Sequence, residues 1–321
     1  MLLAQAWRVA RSHGPTFLVA TVDHALRADS AGEAKTVARL CRRLKLPHET
    51  LVWAGEKPSA GIQEAARAAR YALLTHHARA NGATALVLAH TRDDQAETVL
   101  FRLARGSGLS GLSAMRHVSQ MGDLALLRPL LDIPKARLIA ATESAGVTYA
   151  RDPSNTDPRF TRPRLRRLAP ALAAEGLDAK RLALLARRVA RAEAALVAAA
   201  AQAAARCTLE RAERLVRLDP VAWSAEPDEI SLRILLDALS SCATEGDVEL
   251  AKAERLHEGL LSAVRAEGRL SRTLAGVLVT LEKGRITFRP APERRLKTGS
   301  SRQIHPEPDT RPWQARARHL D

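Results

Sequence analysis

Three short apolar runs alternate with segments of helical spacing over residues 1–105, and this alternation constrains the fold more than any other feature of the chain. Phe17–Val22 (FLVATV), Glu49–Trp53 and Ala85–Ala89 read as strands. The first is continuously apolar, as a strand covered on both faces requires. Met1–Ser12 has helical spacing, Ser30-Ala31-Gly32-Glu33 is a capping box opening a helix to about Lys45, and Ala60–Ala80 is a helix stopped by Asn81-Gly82. A further helix follows the third strand. This β-α-β-α order predicts an α/β domain with a doubly wound, mostly parallel sheet. Ligands of such sheets bind at the carboxyl ends of the strands, where Asp23-His24 and His90–Asp94 both stand.

Beyond residue 105 the texture changes. Gly106–Gly111 is a break, Leu126–Leu131 (LLRPLL) an extended connection, and Pro134 a helix start. Residues 151–167 form a loop leading into a helix, and 178–206 one long Ala/Arg-rich helix. Next come a strand over 208–217, helices over 227–242 and 247–266, and a hairpin of 273–281 with 285–289 around Lys283-Gly284. The expected domains are 1–165 catalytic, 166–206 a helical linker, 207–292 a small α+β domain, and 293–321 a poorly ordered tail.

The formal net charge of +15 favours contact with a polyanion, nucleic acid first. Residues 151–193 concentrate 11 Lys and Arg against 5 Asp and Glu. Aromatics are 3% of the chain, which argues against recognition by extensive base stacking. Cys41, Cys207 and Cys242 are scattered, excluding a zinc ribbon and a cysteine-ligated cluster and fitting a cytoplasmic location. No apolar stretch approaches the ~18 residues of a membrane span.

The segment LVLAHTRDDQAET sets a histidine and three carboxylates within eight residues after a strand. With a helix starting near Thr91, His90, Asp94 and Glu97 share one face. Thr91 with Asp94 also reads as an ordinary capping pair, but capping does not call for His90, Asp93, Asp94 and Glu97 together. Such a group would hold Mg²⁺ through carboxylates and present an imidazole to a phosphate or base. Arg67 and Arg70, three residues apart on one helix face, would neutralise phosphate there, or form a solvated face. Gly106-Ser107-Gly108-Leu109-Ser110-Gly111 matches G-x-G-x-x-G, but a helix precedes it where a dinucleotide fingerprint needs a strand; an NAD-dependent enzyme is excluded on that order. It remains a loop whose backbone approaches a ligand closely.

VDHALR, GIQEAARAARY, LAHTRDDQAETVLFRLARGSGLSGLSAM, LLRPLLDIPKARL and DPSNTDPRFTRPRLR occur in the order seen in tRNA(Ile)-lysidine synthetases, N-type ATP pyrophosphatases of the PP-loop group. The chain resembles that family over about residues 1–200 and more weakly over 250–290. The resemblance implies a ligase that uses ATP to adenylate C2 of the wobble cytidine in the CAU anticodon of tRNA(Ile). Lysine then displaces AMP to give lysidine. It places Asp94, Arg67, Arg70 and Glu97 among catalytic residues, with Asp94 and Glu97 on Mg²⁺. His24, His90, Asp93, Gly106 and Gly108 fall on ATP, and Asn155, Arg159, Arg162 and Arg166 on tRNA. A homodimer is a further expectation.

Three departures stand out. The family opens with a strand and a loop of the form S-G-G-x-D-S, and no S-G-G occurs in these 321 residues. The expectation is a chain that starts inside the first domain, lacks its first strand and is nearly inactive as it stands. Pro163 and Arg151 replace the Asn and the acid of many members, which touches local tRNA contacts. The alternatives are another PP-loop tRNA modifier, such as a thiolase, and a non-catalytic basic RNA-binding protein.

Overall fold

The computed structural model describes residues 1, 4–6, 14–26, 30–58, 61–149 and 161–292. The chain divides into two compact units, Met1–Gln202 and Ala203–Asp321. Among the described residues no helix is long and apolar enough to cross a membrane.

In the first unit, β1 (Val19–Asp23) and β2 (His48–Val52) form a parallel pair joined by α1 (Ser30–Arg43). The crossover helix packs on this pair through Cys41, with Leu44, Leu46 and Val19 closing the cluster. Helix α2 (Ile62–Ala80) leads to β3 (Ala85–Val87), and α3 (Arg92–Leu103) follows. The short α4 (Leu109–Leu112) precedes a hairpin of β4 (Val118–Met121) and β5 (Leu124–Leu127). β5 lies parallel to β3, with Val87 opposite Leu127. The extended connection expected at Leu126–Leu131 is thus strand in its first two residues: Leu124 and Leu126 are buried in alternation, as pairing with β3 demands. The single doubly wound sheet is not seen among the described residues. β1–β2 and β3–β5–β4 are two separate ladders, and the three-residue β3 bonds only to β5.

Helix α5 (Lys135–Ser144) begins after Pro134, and α6 (Thr161–Ala174) opens the described residues after 149. Pro163 falls in the first turn of α6, where its missing N–H costs no helical bond. The long α7 (Ala179–Cys207) packs against α3 through Ala96, Val99, Leu182 and Ala186.

The second unit is a five-stranded antiparallel sheet, ordered β6 (Thr208–Ala212), β7 (Leu215–Leu218), β10 (Arg285–Pro290), β9 (Val277–Glu282), β8 (Leu270–Leu274). The expected single strand over 208–217 is the β6–β7 hairpin, and the outer hairpin gains β8. Lys283-Gly284 makes the turn between β9 and β10 with both φ values positive (49° and 66°), as a tight hairpin needs. Val277, Val279, Leu281, Ile286 and Phe288 alternate inward and meet α8 (Pro220–Ser224), α9 (Asp228–Cys242) and α10 (Leu250–Arg265).

Candidate active site

Both parallel ladders of the first unit end in a histidine and a partner on the adjacent strand. On the first, Asp23 is opposite Val52, so His24 and Trp53 emerge side by side, and Trp53 N–H donates to the Asp23 carbonyl at 2.8 Å. Their rings meet edge to face at 6.0 Å. On the second, Leu88 N–H donates to the Leu127 carbonyl, which sets His90 near Arg128. Asp23 turns back on its own loop, accepting from Ala25 N–H at 2.8 Å; bonds from Ser30 and Ala25 hold its carboxyl below the usual range.

The two imidazoles share a condition. The Nδ1 atoms of His24 and His90 are buried without a hydrogen-bond partner. Burial pushes both pKa values down. Arg70 and Lys57 add to this at His24, and Arg128, Arg67 and Arg70 at His90, against the opposing pull of Asp23 and Asp94 respectively. Both rings are therefore neutral at physiological pH, each with an unsatisfied polar atom. Arg70 acts on both, which places it within electrostatic reach of each.

Arg70 and Arg67 come from the exposed face of α2. Arg67 lies over the Tyr71 ring at 5.0 Å and donates to its hydroxyl at 3.4 Å. Arg70 reaches solvent, yet surrounding protein, Arg67 and Arg162 lower its pKa. Arg102 is depressed by burial and by the same Arg67 and Arg162. Four guanidinium groups thus crowd one region, with no carboxylate paired to any of them among the described residues. Such an arrangement is unfavourable until an anion arrives.

The carboxylates are committed elsewhere. Thr91 caps α3 and closes a capping box: Asp94 Oδ2 accepts from Thr91 N–H and Oγ1, both at 2.7 Å. Asp93 Oδ2 accepts from Lys135 N–H at 2.7 Å, capping α5, whose own N-cap is proline. Glu97 is held by both ends of the Arg166 guanidinium, Nε to Oε1 and Nη2 to Oε2, the latter at 3.0 Å. The expected metal ligand and the expected tRNA contact therefore meet each other. Among the described residues no group of three His, Cys, Asp or Glu is placed to hold a metal. As placed, Asp94 and Glu97 do not converge on a divalent cation.

The Gly106–Gly111 loop is fastened to α3. Gln95 is buried, donating to the Met115 carbonyl at 2.8 Å and accepting from Met115 N–H at 2.9 Å. Arg102 Nη1 donates to the Gly111 and Ala114 carbonyls. A Cβ at Gly111 would lie 2.6 Å from Ser107 Cβ, so this glycine serves close packing. Gly106 (φ 65°) ends α3, and Gly108 caps α4. Asn155 and Arg159 lie outside the described residues; Arg162 is exposed on α6. Sequence reading missed Arg102, Arg128, Gln95 and Trp53 as site residues. Only their positions after strands or inside quoted blocks signalled them.

A PP-loop domain model matches residues 1–172. The chain is 52% identical to the tRNA(Ile)-lysidine synthase of Bradyrhizobium sp. (strain BTAi1) over 313 residues, covering 92% of this chain and 87% of that one. It is 50% identical to the synthase of Rhodopseudomonas palustris (strain CGA009) over 304 residues, with the same coverage. Among solved structures, the U34-tRNA thiolase NcsA from Methanococcus maripaludis, with its 4Fe-4S cluster, aligns with a TM-score of 0.48 at 14% identity. The alignment covers 59% of this chain and 67% of that one.

Proposed function

The chain belongs to the tRNA(Ile)-lysidine synthases of the PP-loop family, and on that premise we propose how its residues serve ATP-dependent ligation of lysine to the wobble cytidine of tRNA(Ile). The observation that carries the ATP half is the Arg67–Arg70–Arg102–Arg162 cluster, paired with no carboxylate among the described residues, beside two neutral imidazoles. A triphosphate supplies the anionic charge that this cluster lacks. The two ladders present their site residues where a single doubly wound sheet would present them, at the carboxyl ends of parallel strands.

In the first step the C2 oxygen of cytidine attacks the α-phosphorus of ATP, and pyrophosphate leaves. Negative charge builds on the leaving group and on the α-phosphoryl oxygens, and guanidinium groups fixed nearby stabilise it. Neutral His90 is suited to hydrogen-bond an α-phosphoryl oxygen through a protonated nitrogen, or to take the proton released by lysine in the second step. In that step the amine bonds to C2, the C2–O bond breaks, and AMP departs. Mg²⁺, the usual companion of ATP phosphates, would find a carboxylate oxygen with no hydrogen bond on Asp94; Glu97 is held by Arg166. Among the described residues no cage of three ligands surrounds that position, and the chemistry described draws on the cations and imidazoles above.

The test is ATP-dependent incorporation of labelled lysine into a CAU-anticodon isoleucine tRNA transcript. It is run on the chain and on a form with an S-G-G-x-D-S segment added before Met1. Incorporation by either form supports the reading. With neither active and tRNA still bound, the protein is an RNA binder and the enzyme reading falls. In the active form, Arg70→Ala should raise the KM for ATP about 10- to 100-fold, the loss expected for one charge-assisted phosphate contact.

A further inference from the structure

Trp53 is the half-buried tryptophan among the described residues; Trp223, the other described one, is fully enclosed. Its backbone is pinned to β1 by the bond to Asp23, so the indole does not drift with a loop. The edge of His24 meets it, and Lys57 Nζ stands 4.0 Å from the ring centroid while donating to the Trp53 carbonyl. An indole that is half-buried and has an ammonium rather than an apolar side chain over its ring is reachable by a polar, planar partner. A ring kept only for packing would be covered by apolar side chains, as Trp223 is.

The cationic cluster says which part of a nucleotide lies here. Arg67 and Arg70 act on His90, and Arg70 also on His24, so the phosphates belong near Arg70. Guanidinium groups cannot distinguish a base. Trp53 follows the end of the neighbouring strand, beside His24 and one step along the strand ends, where a nucleotide laid across those ends would place its base. We infer that the indole face of Trp53 is the stacking platform for the adenine of ATP, with His24 fixing its edge and Lys57 leaving the face when the base arrives. This rests on the ATP reading above and adds a determinant for the base rather than for the phosphates.

Equilibrium binding of two probes separates the roles: ATP, which has a base, and inorganic tripolyphosphate, which has none. Trp53→Leu should weaken ATP about tenfold, the scale of one base stacked on an aromatic ring. It should leave tripolyphosphate unchanged within about twofold, while Trp53→Phe keeps most of the ATP affinity. ATP should change the tryptophan fluorescence of the unmodified chain but not of Trp53→Phe. Equal losses for both probes would make Trp53 a structural support and overturn the inference, as would no loss for either. A loss confined to tRNA would assign the face to an RNA base and also overturn it. Failure of both the chain and its S-G-G-x-D-S-extended form to bind either probe would defeat the ATP reading itself, and the inference with it.

Discussion

The Glu97–Arg166 pair joins α3 to α6 by a two-point contact, with the carboxylate 15% and the guanidinium 31% exposed. At that burial it is more than a screened surface pair, and each partner alone would be left with an uncompensated charge. Arg166 is correspondingly held above the usual guanidinium range, first by the hydrogen bond to Glu97. Glu97→Ala and Arg166→Ala should each cost about 1.5–3 kcal/mol in urea unfolding, the range for hydrogen bonds to charged groups. The double variant should cost clearly less than the sum, giving a coupling energy above about 1 kcal/mol. Additive losses would show that the two residues act independently, and would return Glu97 to the set of carboxylates free to meet a cation.

At the scale of elements, one buried contact locks the three helices of the second unit together. Trp223 Nε1 of α8 donates to the Ser231 carbonyl of α9 at 2.9 Å, and His257 Nε2 of α10 lies 2.7 Å from Ser231 Oγ. Ser231 Oγ donates to the Asp228 carbonyl, so His257 must be the donor to the hydroxyl, which the neutral Nε2–H form satisfies. Trp223 and His257 also meet edge to face at 5.4 Å. Burial lowers the pKa of His257, against the pull of Asp228 and Glu258. The folded state therefore binds fewer protons than the unfolded chain between that lowered value and the ordinary histidine value of about 6.5. Its stabilising contribution is complete above about pH 6.5 and is lost as pH falls through the lowered value. The urea midpoint of the second unit should drop between pH 7.5 and pH 5, and His257→Gln should flatten part of that slope. An unchanged slope in the variant would assign the acid sensitivity to other groups.

At the scale of the whole molecule, charge is segregated. Residues 1–202 carry 30 Lys and Arg against 17 Asp and Glu, whereas residues 203–292 carry 13 against 14. The excess that favours a polyanion thus belongs to the unit that holds the candidate site, and α6 presents Arg162 and Arg167 to solvent within it. Binding of tRNA should weaken steeply with salt through counterion release. Neutralising Arg162 or Arg167 should reduce the slope of log affinity against log salt by about one unit each. Neutralising Arg217, which is paired with Glu210 in the second unit, should leave the slope unchanged. Equal effects from both units would mean that the RNA footprint does not follow the charge.

What the sequence determined by itself was local and periodic. The places of the first and third strands, the capping of α3 by Thr91, and the hairpin at Lys283-Gly284 depend on neighbours a few residues away, so spacing and turn chemistry reveal them, though the strands end at Asp23 and Val87 rather than at Val22 and Ala89. The candidate site was read to the same depth: residue types at strand ends singled out His24 and His90, spacing on a helix face singled out Arg67 and Arg70, and ordered motifs gave the family. Only the tertiary structure decided what each polar side chain does, because a charged group's partner is set by space rather than by order. Glu97 finds Arg166, 69 residues away; Asp93 caps a helix 42 residues on; and Gln95 clamps Met115. In sequence these are acids and amides beside a histidine, all equally eligible for a metal or a phosphate. Folding spends three of them on holding helices and a loop, whereas the Nδ1 atoms of His24 and His90 are buried without a hydrogen-bond partner among the described residues.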